Sequence, residues 1–196
     1  MIKFLLLILF FNPLTQDNGF DEYYNLINAY ELKYNEGHLF SDLVNFTKTY
    51  GFPESLKLGD NFYSCTDRQT LNSIIKKSNN FIPIAKYGSL SFMIVGGDYV
   101  VPSLIDLRDE NIKIYLDVIC FSSNYLIDNF KNDFPKSFSN PQTKNSFFQS
   151  HKIDTGKSKI NSFFLTKWSI DDKNSRQLIE FVFVDDKLGF IVFNNF

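Results

Sequence analysis

The apolar residues of this 196-residue chain recur with two periods, and the places where one gives way to the other mark its elements. Period two dominates the middle. Leu90–Val95 reads as a strand, Gly96-Gly97 as a turn that reaches positive φ without a Cβ clash, and 98–104 as the returning strand. A second turn follows at Arg108-Asp109-Glu110-Asn111. Beyond it, Ile112, Ile114, Leu116, Val118 and Cys120 alternate with Lys113, Tyr115, Asp117, Ile119 and Phe121, which predicts a third strand over 112–121. A second meander is expected toward the C-terminus, with strands at 160–170, Arg176–Val184 and 188–193 separated by the polar turns 171–175 and 185–187.

Elsewhere the spacing is helical. Asp21 is placed to cap a helix with the stripe Tyr23, Leu26, Ile27, Tyr30 and Tyr34, which Gly37 stops. Leu39, Leu43, Phe46 and Tyr50 form a second stripe that ends at Gly51 and Pro53. The capping box Thr66-Asp67-Arg68-Gln69 precedes Leu71, Ile74 and Ile75 on a third helix. Ser122-Ser123-Asn124 precedes Leu126, Ile127, Phe130 and Phe134 on a fourth, ended by Pro135, after which 135–159 reads as a long polar loop. Strands in runs without regular βαβ alternation predict an α+β fold. Its expected form is a mostly antiparallel, curved sheet of about six strands, with two N-terminal helices and two further helices packed on one side.

The first residues fit neither pattern. Met1-Ile2-Lys3 and the apolar run 4–11 have the form of an export signal, broken by Asn12-Pro13 well short of the roughly 20 apolar residues a membrane span needs. The expectation is a signal peptide over 1–16, one globular domain over 17–196, a secreted or periplasmic location, and no transmembrane anchor after cleavage. A net charge of −2 supplies no field to attract nucleic acid, which is not expected as a partner. The 23 Phe and 10 Tyr beside a single Trp are what A- and T-rich coding produces, or else they furnish an aromatic recognition surface.

Candidate chemistry is sparse. In an oxidising compartment Cys65 and Cys120 are a possible disulfide. His38 and His151 stand apart, and there is no CxxC or HExxH, so neither a metal nor a cofactor is expected. Asp117 and Glu180 are mid-strand acids that a hydrolase could pair with a loop histidine, although Lys113 and Arg176 on the same faces also explain them as solvated positions. For binding, the best strand is 160–170, where Ile160, Phe164, Trp168 and Ile170 share a side with Ser162 and Thr166. The neighbouring strand adds Phe181 and Phe183, or its Leu178 face, according to register. The expected binding residues are therefore Phe164, Thr166, Trp168, Phe181 and Phe183, unless this layer is plain core. The expected function is a non-catalytic binding domain for a small molecule or a protein partner. The alternatives are the hydrolase and a structural or interaction protein without a pocket.

Overall fold

A computed structural model describes residues 23–78, 81–141, 158–168 and 176–193. The export segment and His151 lie outside the described residues. The fold is α+β and its paired strands are antiparallel. They form two sheets, of nine and four strands, where the sequence predicts one of about six.

The expected C-terminal meander is present in the large sheet as β11 (Ile160–Trp168), β12 (Arg176–Val184) and β13 (Lys187–Phe193). Of the expected central one only the first two strands are there, β7 (Leu90–Val95) and β8 (Tyr99–Asp106), and their third neighbour is β6 (Ile84–Tyr87), which precedes them, and not the segment 112–121. The two groups join edge to edge where β13 pairs with β8, Ile191 opposite Ile105. On the far side β6 pairs with β4 (Ser55–Leu58), and β4 with the outermost strand β5 (Asn61–Ser64). A two-residue strand, β3 (Ser41–Asp42), adds to β8 at Tyr99 and Val100. The turns follow local chemistry. Asp185 and Asp186 both take positive φ, at 49° and 63°, which a tight hairpin turn with the right-handed strand twist requires. Pro102, with no N–H to give to a ladder, sits beside the register shift at Ser91/Phe92.

The small sheet runs in the order β10 (Ile119–Phe121), β9 (Ile114–Leu116), β1 (Lys33–Tyr34), β2 (Gly37–His38). It corrects two expectations. The strand over 112–121 is a hairpin, because Asp117 takes φ 51° and reverses the chain, leaving Val118 89% exposed. Short polar side chains such as Asp tolerate this left-handed conformation better than most, and the unbroken alternation concealed the turn. Among the described residues the expected helix does not continue past Tyr23: a 3-10 turn at Ala29–Glu31 and the β1–β2 hairpin, with Asn35 at φ 53°, stand in its place. The helical stripe is not one buried face, since Tyr23 and Leu26 are exposed while Ile27, Ala29 and Leu32 are buried. Tertiary pairing decides the outcome: Ile27 donates to the Thr166 carbonyl and Thr166 to the Asn25 carbonyl, each at 2.9 Å, so this segment extends along β11.

The other helices lie close to expectation. In α1 (Leu43–Tyr50) the Asp42 carboxylate accepts from the Asn45 N–H at 2.8 Å, and Gly51 closes the helix at φ 79°. Asp67 rather than Thr66 caps α2 (Arg68–Lys76), accepting from the Thr70 N–H at 2.8 Å. No side-chain hydrogen bond caps α3 (Ile127–Asp133), and Pro135 starts a further short helix, α4 (Pro135–Phe138), instead of ending the helical run. Phe130, Phe134 and Phe138 bring α3 and α4 onto Phe163, Phe181 and Phe183 of the large sheet. Cys65 and Cys120 are free thiols, Cys65 following β5 of the large sheet and Cys120 within β10 of the small one. The possible disulfide expected from the sequence is thus not formed in this structure.

Candidate functional site

An open cleft of about 550 Å3 lies between α1, the β6–β7 hairpin of the large sheet and the β1–β2 turn of the small one. Its wall is aromatic. Tyr50, in the last turn of α1, stacks on Tyr34 of β1 with ring centroids 6.0 Å apart, and its hydroxyl donates to the Tyr34 carbonyl at 3.0 Å. Phe46, one helical turn earlier, is buried and central: its ring lies 4.6 Å from Tyr50, 4.6 Å from Phe92 and 5.5 Å from Tyr87. The Tyr87 hydroxyl donates to the Gly51 carbonyl at 3.1 Å, tying β6 to the end of α1. Two elements of the large sheet, one helix and one strand of the small sheet are thus fixed to each other through rings.

Gly37 permits this closeness. A Cβ there would fall 2.2 Å from the Tyr50 hydroxyl oxygen and 2.8 Å from Thr49 Cγ2, so β2 can lie against α1 only without a side chain at this position.

The remaining lining adds Leu90 and Ile112 to a polar, acidic set. Glu54 and Asp109 face the cleft with Asn35, Thr49, Ser89 and Asn111, and among the described residues no Lys, Arg or His lines it. Asp109 accepts from the Asn111 N–H at 3.0 Å and from the Ser89 hydroxyl at 3.1 Å, and these bonds hold its carboxyl below the ordinary aspartate range. Burial raises the Tyr50 phenol to about 12 and pushes the Tyr87 phenol up as well. At neutral pH the cleft therefore presents Tyr50 and Tyr87 un-ionised and Asp109 ionised. It offers aromatic faces, hydrogen-bonding groups and negative charge, and no imidazole or thiol in its lining to act as nucleophile or neutral-pH base.

The residues expected from sequence to bind lie elsewhere. Phe163 pairs with Phe181 and Asn161 with Phe183, so Phe181 and Phe183 share the core-facing side, both fully buried. Phe164, Thr166 and Trp168 occupy the opposite side of β11. Phe164 meets Tyr24 edge to face at 5.9 Å, Thr166 is buried with its hydroxyl 3.3 Å from the Asn25 carbonyl, and the Arg176 guanidinium covers the Trp168 ring. The register thus separates the two groups, and none of the five lines the cleft. The acids for the hydrolase reading are equally dispersed. Asp117 is exposed at the β9–β10 turn, Glu180 is buried within β12, and the His38 Nδ1 lies 2.9 Å from the Tyr30 carbonyl.

Glu180 is nonetheless informative about stability. It is 2% exposed, with Val182, Phe190 and Val192 forming a small apolar cluster on the same face of the sheet. Desolvation pushes its carboxyl up, partly offset by the bond it accepts from the Ser162 hydroxyl. The folded state therefore keeps this proton to a higher pH than the unfolded chain does. Between the ordinary glutamate value and the raised one the native state binds more protons, so stability falls as pH rises through that window. Glu180→Gln removes the effect and keeps a partner for Ser162. Urea denaturation over a pH series is expected to show a flatter profile in the variant and no loss of stability at neutral pH; an unchanged slope contradicts the assignment.

Comparison with protein-family models, curated proteins and solved structures finds no match.

Proposed function

We propose that this chain is an exported, non-catalytic binding domain whose ligand is a small molecule held in the aromatic cleft. The observation that carries this reading is the joining of a 550 Å3 volume, within the usual range for ligand sites, to convergent hydrogen-bonding groups and tyrosine rings fixed by two sheets and a helix. Its position supports the same reading, because an opening between separately built elements can be shaped by each of them. Thr49 is exposed in α1 and lines the cleft, so Thr49→Trp fills the space from a helix surface. In thermal-shift screening of a small-molecule panel, hits that stabilise the wild type are expected to have no effect on Thr49→Trp, with circular dichroism unchanged. Hits that stabilise both equally contradict the site.

Export rests on the apolar run 4–11 after Lys3. The mature protein from its native host is expected to lack residues up to about Gln16. An intact mass that includes Met1 contradicts export by cleavage.

A further inference from the structure

We propose that the ligand taken by this cleft is an organic cation, an ammonium or quaternary ammonium group seated against the tyrosine rings beneath Glu54 and Asp109; this rests on the binding reading above. Two observations converge on it. The first is charge. Glu54 and Asp109 both line the cleft and neither has an ion-pair partner among the described residues. Asp109 is spoken for by neutral donors, the Asn111 amide and the Ser89 hydroxyl, which hold it in place and leave its charge unbalanced. The Glu54 side chain makes no hydrogen bond among the described residues, and its Oε1 lies 3.9 Å from where a Cβ at Gly88 would stand, a position that carries no side chain to block it.

The second observation is the ring system. The faces of Tyr34, Tyr50, Phe52 and Tyr87 carry the negative end of their quadrupoles, and Phe52 is 39% exposed. Carboxylates and π-faces both attract positive charge, and in a partly enclosed cleft without a basic side chain nothing opposes them. An anionic ligand would meet repulsion from every charged group present. A neutral ligand would gain the apolar contact and leave the two charges unused.

Choline and its neutral isostere, with carbon in place of the quaternary nitrogen, have the same shape and separate the two claims. By titration calorimetry on the wild type, choline is expected to bind at least about tenfold more tightly than the isostere. Its affinity is expected to fall as ionic strength rises. Glu54→Gln, an exposed substitution, is expected to weaken choline about threefold or more and leave the isostere and the melting temperature unchanged. Equal or tighter binding of the isostere, or of a neutral saccharide, overturns the cation assignment and leaves the cleft as a ligand site. Failure of the cation, the isostere and the saccharide to bind at millimolar concentration to folded protein overturns both.

Discussion

Replacing Phe181 by alanine is expected to cost about 3–5 kcal/mol, the largest loss from any single truncation considered for this molecule. The side chain is fully buried, and its ring lies 5.1 Å from Phe121, 5.6 Å from Phe130 and 6.4 Å from Phe134. Those partners come from the small sheet and from the end of α3, so one ring joins three parts of the fold. Domains of ordinary stability hold only about 5–15 kcal/mol in total, and the variant should lose much of its native population under mild denaturant. Urea unfolding measures this directly. Phe164→Ala, on the other face of the sheet and half buried, is the control and should cost less than half as much. Equal losses at the two positions would mean that the faces have been assigned wrongly.

Gly37→Ala is the second large effect, and it acts on the cleft. The added methyl meets the Tyr50 hydroxyl oxygen at 2.2 Å and Cζ at 2.6 Å, a backbone-linked atom against a ring already packed on Phe46 and Tyr34. Overpacking of this kind costs about 1–3 kcal/mol, and relief requires β2 to move away from α1. Stability should fall by that amount and ligand affinity should fall with it. Tyr50→Phe alone gives up the bond to the Tyr34 carbonyl, worth about 1 kcal/mol. In combination the two should lose less than the sum of their separate costs, because the phenylalanine lacks the oxygen nearest the new methyl. Strict additivity would show that Gly37 and Tyr50 do not press on each other.

What the sequence made legible was local. The hairpin around Gly96-Gly97 and the three-strand pattern around Asp185-Asp186 survive because alternation and turn residues act over a few positions, whereas the third strand expected after Leu107 breaks at Asp117 and joins the small sheet. The pairing of β13 with β8 is a contact between segments about eighty residues apart, and no local pattern encodes it. The same limit explains the lost first helix: the spacing of Tyr23, Leu26, Ile27 and Tyr30 suits a helix, but hydrogen bonds to Thr166 draw the backbone out along β11. At α2 the two capping candidates are adjacent, and the Asp67 carboxylate takes the position that the capping-box reading gives to Thr66.

The candidate site was the least legible part. Phe164, Thr166 and Trp168 do share a face, as their alternation implies, but the register turns Phe181 and Phe183 to the other side. The cleft draws on Tyr34, Tyr50, Tyr87 and Asp109, from four separate segments. Two of those tyrosines belonged to apolar stripes that read as helix core. The signals that pointed toward them were the surplus of tyrosine and a glycine, Gly37, that read as a helix stop and serves instead as the place where the two sheets close on α1.

Entry of ligand between the sheets, and not along β11, is decided by amide NMR spectra recorded during a titration with choline. Shifts are expected to concentrate at Asn35, Thr49, Ser89 and Asn111, with the Trp168 indole signal unmoved. Shifts centred on Phe164, Thr166 and Trp168, with the cleft residues silent, would contradict it.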